Sequence, residues 1–500
     1  MLAALALAVH ALSAASSSVP GSPDDATIVH VLNRLGFGPR PGDVERVRRM
    51  GLASWMDQQL RPERIADGAV DARVAGLATL RMTSQQIAQE YLKPLLEQRQ
   101  QRGRDAASGE PDMDSRRKRP AEIGPVLQRR QELLQELVAQ KVLRAVYSER
   151  QLQEVLTDFW FNHFNVFANK GFTRIYLTAY ERDAIRPHVL GRFRDLLDAT
   201  AKSPAMLLYL DNARSADPKF AEKAKSDLDR LQRAGRRRGG ARQQGRETTP
   251  EMMEQVRQNI PTGINENYAR ELLELHTLGV DGGYTQQDIV NVARALTGWT
   301  IGRPRSAEAG QFWFNPRMHD TGDKVVLGQK ITGGGIEDGE RVLDLLARHP
   351  STARFIATKL ARRFVADEPP AALVDRAAAT FRQTDGDLRE VVRAIVTAPE
   401  FFASDTRRAK VKTPFEFVVS ALRATEADVQ NTLWLARTLQ QLGMPLYLCQ
   451  PPTGYKDTAD AWVNSGALIS RMNFAVELAN GKASARAVAM ALGSPEFQRR

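Results

Sequence analysis

The sequence from residue 265 to residue 299 decides the fold that we predict for this chain. It runs Asn-Glu-Asn-Tyr-Ala-Arg-Glu-Leu-Leu-Glu-Leu-His-Thr-Leu-Gly, then Val-Asp-Gly-Gly-Tyr-Thr-Gln-Gln-Asp, and then a second apolar run that ends at Trp299. Because apolar residues recur at helical spacing on both sides of the glycines, the stretch predicts two packed helices joined by a glycine-rich turn. Thr285 and Asp288 predict the N-cap of the second helix.

One narrow face of the first predicted helix is polar. At about 100° per residue, this face carries Asn267, Arg270, Glu271 and Glu274 together with Leu278. The rest of the circumference is apolar, which predicts a largely buried helix. Charged groups are seldom buried unless they are paired or functional, so this polar stripe is the first candidate site.

A second candidate lies in the aromatic segment Asp158-Phe159-Trp160-Phe161-Asn162-His163-Phe164. The segment predicts a helix buried on most sides, with Asn162 on a polar strip and His163 beside Phe159. Buried hydrogen-bonding groups need partners. We therefore expect the stripe of Asn267, Arg270, Glu271 and Glu274 to face Asn162 or His163, although a satisfied core histidine is the simpler interpretation of His163.

Two further segments carry candidate binding residues. His319 and Asp320 stand in a polar, glycine-containing loop just before a predicted strand, where ligand-binding groups often lie, although an ordinary capped turn would have the same composition. Trp462, Asn464 and Arg471 in the C-terminal part could form one wall of a pocket with Gly454-Tyr455. Packing of a closing helix would explain these three residues equally well.

The chemistry of the polar stripe stays open at this stage. Glu271 and Glu274 with His163 are candidate catalytic residues, because burial can separate the pKa values of two carboxylates into an acid and a base. With a histidine they could also ligate a metal ion. No Glu-x-x-His or His-x-x-x-His spacing occurs, however, and Arg270 offers a structural ion pair instead. No phosphate-binding loop, nucleophile elbow or zincin motif is present, so the sequence assigns no metal and no cofactor.

The composition predicts a large globular protein. The chain has 500 residues, of which 42% are hydrophobic and 26% charged, which is enough for a large core. Its formal net charge is +11, but most of that excess comes from an arginine-rich segment between residues 230 and 246. We predict a solvated, charged insertion at about residues 213–260, expected to be mobile, and another at about 100–125; a tether to an anionic surface is the alternative for the first.

The first 22 residues predict an export signal. They carry no charged side chain, contain an apolar run, and pass through Ser13-Ala14-Ala15 into a Ser/Gly/Pro-rich stretch, a pattern typical of a cleaved leader without its basic start. A frayed apolar helix is the alternative. Cys449 is the only cysteine, so no internal disulfide can form. We expect an exported, periplasmic protein that is not integral to the membrane.

Helical periodicity dominates the remaining chain. We predict a mainly α fold, with one large multi-helical domain over residues 28–500 and a minor β element near residues 312–331. The strand character comes from Phe312-Trp313-Phe314 and from Lys324 to Ile331.

Taken together, these motifs resemble the bacterial family of proteins of unknown function numbered eighteen hundred. The resemblance covers about residues 28–500 apart from the two charged insertions. It is carried by Phe159 to Phe164, Asn265 to Trp299, His319-Asp320 before Lys324 and Leu327-Gly328, His349 to Ala353, Gly454-Tyr455, and Trp462 to Asn473. The chain departs from the family pattern in its missing basic leader start and its arginine-rich insertion.

The resemblance implies a large exported helical protein, often encoded beside a companion exported family of sulfatase- or phosphatase-like character. It implies no activity and no cofactor. We predict a non-enzymatic assembly or binding partner of another exported protein, with no nucleic-acid role. The alternative is a periplasmic hydrolase that uses a buried Glu/His/Arg cluster, with or without a metal ion.

Overall fold

The computed structural model describes residues 18–97, 113–237, 257, 260–261, 263–303, 306–480 and 485–500. The predicted leader therefore falls almost wholly outside the described residues, as does much of the arginine-rich segment.

The described chain is built mainly of helices, as the periodicity predicts. The helices of the first part are α1 (Asp25–Arg34), α2 (Asp43–Met50), α3 (Leu52–Gln59), α4 (Gly68–Val74), α5 (Ser84–Ile87), α6 (Met113–Tyr147), α7 (Gln151–His163), α8 (Leu177–Ala179), α9 (Phe193–Ala201), α10 (Pro204–Tyr209), α11 (Pro218–Arg237) and α12 (Glu266–Glu271). Those of the second part are α13 (Gln286–Ala295), α14 (Ile336–Arg348), α15 (Pro350–Phe364), α16 (Ala371–Gln383), α17 (Leu388–Val396), α18 (Pro399–Phe402), α19 (Pro414–Ala424), α20 (Thr432–Gln441), α21 (Ser465–Ala479) and α22 (Ala485–Gly493).

The β structure consists of two small antiparallel pairs within the described residues. Strand β1 (Trp299–Ile301) pairs with β2 (Phe312–Phe314), and β3 (Lys324–Val326) pairs with β4 (Gln329–Ile331). Leu327 and Gly328 both have positive φ, 48° and 76°, which fits the tight two-residue turn between β3 and β4. The predicted minor β element is confirmed, but it begins earlier than expected, because Trp299 pairs with Phe314 instead of ending a helix.

One buried apolar cluster runs through the described chain from Ile28 in α1 to Leu492 in α22. It draws on both ends of the sequence, so the terminal helices pack against the middle of the chain. Burial of this much apolar surface is the main stabilising contribution to such a fold. No helix among the described residues is long and apolar enough to cross a membrane.

Both charged stretches contain more helix than their composition predicts. Helix α6 begins at Met113, inside the stretch 100–125, and α11 occupies Pro218–Arg237 within 213–260. In α11, Ala221, Ala224 and Leu228 lie on the buried or half-buried side. This narrow apolar stripe at helical spacing gives a very polar segment one side that can pack.

The two central helices form as predicted around the glycine-rich turn. Thr285 and Asp288 make a reciprocal capping box at the start of α13. Helix α12 continues as a π-helix over Leu272–Thr277. A π turn closes i→i+5 hydrogen bonds, so the side chains beyond Glu271 are rotated from the positions that an α-helical wheel gives them, and Leu278 is buried at 3% exposure.

Candidate functional site

The polar stripe lies at the protein's surface. Asn267 is exposed, and Arg270, Glu271 and Glu274 are half-buried. Arg270 donates to Gln286 at 3.1 Å, and Glu274 accepts from the Tyr284 hydroxyl at 3.3 Å. The expected convergence of this stripe on Asn162 or His163 is therefore wrong: its hydrogen bonds reach the glycine-rich turn and the start of α13.

The carboxylates of the stripe still influence each other. Burial raises the pKa of Glu271, and the nearby Glu274 carboxylate raises it further, while Arg270 acts in the opposite direction. The two carboxylates are thus close enough to interact, but both remain partly exposed to solvent.

The aromatic helix α7 meets the π segment through a backbone contact. The Nε2 atom of His163 lies 3.1 Å from the carbonyl oxygen of His276. Since a carbonyl can only accept, Nε2 carries the proton and Nδ1 presents a lone pair. This Nδ1 is buried and has no hydrogen-bond partner in the described part of the chain.

Asn162 binds the backbone of a distant segment. Its Nδ2 donates to the carbonyl of Tyr455, and its Oδ1 accepts from the Tyr455 amide, both at 2.7 Å. Gly454 comes so close that an added Cβ would lie 2.3 Å from the Asn162 carbonyl oxygen, and its φ is +71°. The pairing of these two predicted motifs is a structural clamp between α7 and the segment before α21.

His319 and Asp320 belong to a satisfied buried network. The ring nitrogens of His319 lie 2.9 Å from the Thr297 carbonyl and 3.1 Å from the Asp338 carboxylate. The Lys324 ammonium lies 2.7 Å from the same carboxylate. Asp320 accepts two hydrogen bonds from Arg294, at 2.7 and 3.1 Å. Every charge in this network has a partner, so it needs no ligand to complete it.

The three C-terminal candidates also have internal partners. Trp462 donates to the Lys456 carbonyl at 2.9 Å, and Asn464 caps α21. Arg471 is fully buried and donates to Gln498 and to the Lys412 carbonyl. None of the three contacts the polar stripe through a hydrogen bond among the described residues. They hold α21 and the chain end in place.

The structure shows a cavity of about 380 Å³ that connects two of the predicted motifs. Its walls come from α7, from α15, from the segment 444–458 and from Thr413. Asn162, His163 and Tyr455 all line it. The cavity is therefore where residues from two of the predicted motifs come together. The charged lining residues are Lys359, Arg362, Arg363, Lys456, Asp158 and Asp457.

Lys359 is the unusual group of this cavity. Its ammonium has no hydrogen bond and no ion pair with any described residue; its nearest aromatic contact is the Phe355 ring, at 5.4 Å. Burial and the charge of Arg362 together lower the pKa of Lys359 to about 8 against the opposing effect of Asp457. A positive charge is therefore held in the cavity at neutral pH without an internal counter-charge.

Both carboxylates in the cavity take part in ion pairs, although Oδ2 of Asp457 is buried and has no hydrogen-bond partner among the described residues. Asp158 lies 2.7 Å from the Lys141 ammonium. Asp457 lies 3.3 Å from Lys410 and 3.4 Å from Arg500. Arg363 pairs with Glu416 at 2.7 Å, but its Nε and Nη2 atoms are buried without partners in the described chain. The cavity consequently offers unmatched positive charge.

The histidines near Lys359 are neutral. Burial lowers the pKa of His163 well below its ordinary value, and the Lys359 charge lowers it further. The pKa of His276 falls to about 3 for the same two reasons. A neutral His163 can accept a hydrogen bond at Nδ1, but it is a weak base.

Sequence reasoning missed Lys359 and Arg363, although α15 carries a signal for both. Ile356, Lys359, Leu360 and Arg363 follow the i, i+3, i+4, i+7 spacing of one helix face. Two cations at positions where an amphipathic helix normally buries aliphatic residues mark a polar space on that side.

The described residues contain no group of three or more His, Cys, Asp or Glu side chains that could hold a metal ion. Neither the curated proteins nor the solved structures include a match to this chain. A family model, described as a protein of unknown function (DUF1800), matches residues 30–499. The chain therefore belongs to this family.

Proposed function

We propose that this protein is an exported, non-enzymatic binding protein that holds a small organic anion in the Lys359 cavity. The observation that carries the proposal is the unpaired ammonium of Lys359. The Lys359 side chain is half-buried. A charge that is partly removed from water and has no partner costs free energy, and an anionic ligand would supply the missing counter-charge. Arg362, Arg363 and Lys456 add to the positive field.

The cavity also indicates what else the ligand carries. The unpartnered Nδ1 of His163 calls for a hydrogen-bond donor, such as a hydroxyl or amino group. Phe159 supplies an apolar wall. A volume of about 380 Å³ suits a molecule of metabolite size. A small hydroxy or amino carboxylate combines these features.

The geometry supports binding more than hydrolysis. The cavity carboxylates Asp158 and Asp457 are paired, and a His163 whose pKa lies well below its ordinary value is a poor general base. Glu271 and Glu274 do not line this cavity. A hydrolase built on Glu271, Glu274 and His163 would need these residues to move together.

The test is ligand binding by the purified mature protein. Citrate, glucuronate and glutamate are titrated by calorimetry, at constant ionic strength, into the wild type, Lys359→Met and the surface control Lys330→Met. We expect at least one anion to bind and Lys359→Met to weaken it by about tenfold or more, the size of a lost charge-assisted contact. Lys330→Met should bind like the wild type. Equal binding by Lys359→Met, or no binding of any of these anions to the wild type, contradicts the proposal.

Export is part of the same proposal. It is supported by the uncharged apolar start and by the family resemblance. N-terminal sequencing of the mature protein should show that roughly the first 15 to 25 residues have been removed. An intact Met1 on protein recovered from the cytoplasm contradicts export.

A second candidate role is docking to a companion exported protein of sulfatase- or phosphatase-like character. The supporting observation is the apolar outer side of the α21–α22 hairpin, where Ile469, Met472, Val476 and Met490 are all more than half exposed. Exposed apolar patches of this kind commonly mark protein interfaces.

Co-expression with that companion tests the docking role. The wild type and the exposed control Val280→Lys should co-elute with the companion in size-exclusion chromatography, while Met472→Lys with Val476→Lys should not. Co-elution of the double variant contradicts the role. A wild type that elutes alone as a dimer, which the double variant converts to a monomer, assigns the face to a second copy and also contradicts it.

A further inference from the structure

A second, larger cavity of about 540 Å³ lies between α1, α19 and the C-terminal residues. It shares no lining residue with the Lys359 cavity. Five of its lining side chains are cationic, namely Arg407, Arg408, Lys412, Arg499 and Arg500, and one is acidic, Glu496. Arg407, Arg408 and Arg499 are exposed at the rim, whereas Lys412 and Arg500 are buried.

Lys412 is a buried cation without an internal counter-charge. Its side-chain ammonium donates to the Ser420 hydroxyl at 2.8 Å and lies 3.9 Å from the centre of the Phe497 ring. No described carboxylate comes within 4.0 Å of it. Burial lowers the pKa of Lys412 to about 7, against the opposing effect of Glu416. A hydroxyl and a ring face are weak compensation for a charge taken out of water.

Arg500 provides a second incompletely paired cation in the same cavity. Its Nε lies 3.1 Å from Glu416 and its Nη2 lies 3.4 Å from Asp457. Its Nη1 is buried and has no hydrogen-bond partner in the described residues. Glu416 and Asp457 also form ion pairs with Arg363, and Asp457 forms another with Lys410.

The deeper surroundings are also rich in cations. Arg34 is fully buried, and two of its nitrogens, Nε and Nη1, have no partner among the described residues. Burial, together with the charges of Arg500 and Arg363, lowers the pKa of Arg34 to about 9 against the opposing effect of Glu416 and Asp457. The buried network next to the cavity therefore holds more positive than negative charge, and an anion in the cavity would offset the excess.

We propose that this second cavity binds a tetrahedral oxyanion, the phosphate or sulfate group of a small ligand. Lys412 and Arg500 would contact the group from the floor of the cavity, and the rim arginines would hold its outer oxygens. Several cations around one space suit an anion with three or more acceptor oxygens better than a single carboxylate, because guanidinium groups match such oxyanions with paired N–H donors. The site shares no lining residue with the Lys359 cavity, and the proposal does not rest on the function proposed for that cavity.

The test uses the full mature protein with inorganic phosphate, inorganic sulfate and glycerol phosphate as separate probes, against chloride at equal ionic strength. We expect at least one oxyanion to raise the melting temperature and to bind in calorimetry, and chloride to do neither. Binding of free phosphate or sulfate as tightly as the ester assigns the site to the free ion, and preference for the ester assigns it to an organic ligand. Both results support an oxyanion site. No difference between the oxyanions and chloride overturns it.

Three variants and a control locate the binding. Lys412→Met should weaken it by about tenfold or more, and Arg408→Gln, which changes an exposed side chain at the rim, by about two- to fivefold. The exposed control Lys330→Met should bind like the wild type, and Lys359→Met measures any contribution of the first cavity to the binding. Full binding by both Lys412→Met and Arg408→Gln overturns the proposal, and so does loss of oxyanion binding in Lys359→Met, which would assign the anion to the first cavity.

Discussion

Two charged regions of this protein contain the same residue types but differ in how their charges are paired: Lys324 in the first is buried, and Lys359 in the second is half-buried. Around β3, the side chains of His319, Lys324 and Asp338 all have partners within hydrogen-bonding distance. Around α15, Lys359 has no ionic partner among the described residues, and Arg363 and His163 keep unpaired nitrogens. This difference is the basis of the proposed binding role. A matched network is complete within the protein, whereas an unmatched one leaves a positive charge that an external anion would neutralise.

The largest effect should come from breaking the matched network. Asp338→Ala leaves the Lys324 ammonium, whose side chain is fully buried, without its carboxylate. Removing one partner of a buried pair costs about 3–5 kcal/mol, and we expect a loss of that size in the free energy of unfolding by urea. Asp323→Ala, which breaks an exposed pair with Lys330, serves as the control and should cost less than about 1 kcal/mol. A small loss in Asp338→Ala would show that the network is not structural.

The unmatched region should respond in the opposite direction. Lys359→Met removes a charge that no described carboxylate neutralises and keeps the length of the side chain. Without ligand, we expect its free energy of unfolding to stay unchanged or to rise by up to about 2 kcal/mol. The measurement is the same urea denaturation. A loss of more than about 2 kcal/mol would place Lys359 among the matched, structural charges.

The smallest effect is expected at the surface stripe. Glu271→Gln should change the free energy of unfolding at pH 7 by less than about 1 kcal/mol, because the carboxylate is partly wet. The pKa of Glu271 is raised above its ordinary value of 4.5. Ionising this group therefore costs the folded state free energy, and the cost appears as the pH rises above about 4.5.

Denaturation of the wild type and Glu271→Gln between pH 4 and pH 7 measures this difference. The variant should gain slightly on the wild type as the pH rises. A loss of about 3 kcal/mol at pH 7 would instead indicate a buried ion pair with Arg270.

The sequence predicts the helical fold because periodicity records which side of each helix is buried. It also predicts the capping box at Thr285 and the strands near residues 312–331. The candidate site is harder to predict from the sequence, because it depends on which distant segments of the chain come into contact. Asn162 and Tyr455 both belong to motifs that can be recognised in the sequence. The sequence does not predict their contact, because the two residues are 293 positions apart. The π turn after Glu271 also rotates the residues that follow it, so the buried Leu278 does not share the polar face that a regular wheel assigns to it.

The limit of prediction from the sequence is clearest at Lys359. Its position on an apolar helix face is visible in the sequence, but whether a buried cation has a counter-charge depends on neighbours from α7 and the segment 444–458. Matched and unmatched lysines, such as Lys324 and Lys359, therefore look alike until the chain is folded.

The most direct test of the unmatched charge is the titration of the Lys359 ammonium, followed by NMR on ¹³C-dimethylated protein and assigned with Lys359→Met. We predict a pKa of about 8 in the free protein and a rise when citrate, or whichever organic anion binds in the cavity, is added, because a bound anion favours the charged amine. A Lys359 that titrates near its ordinary value of 10.5 with and without the anion would contradict the account.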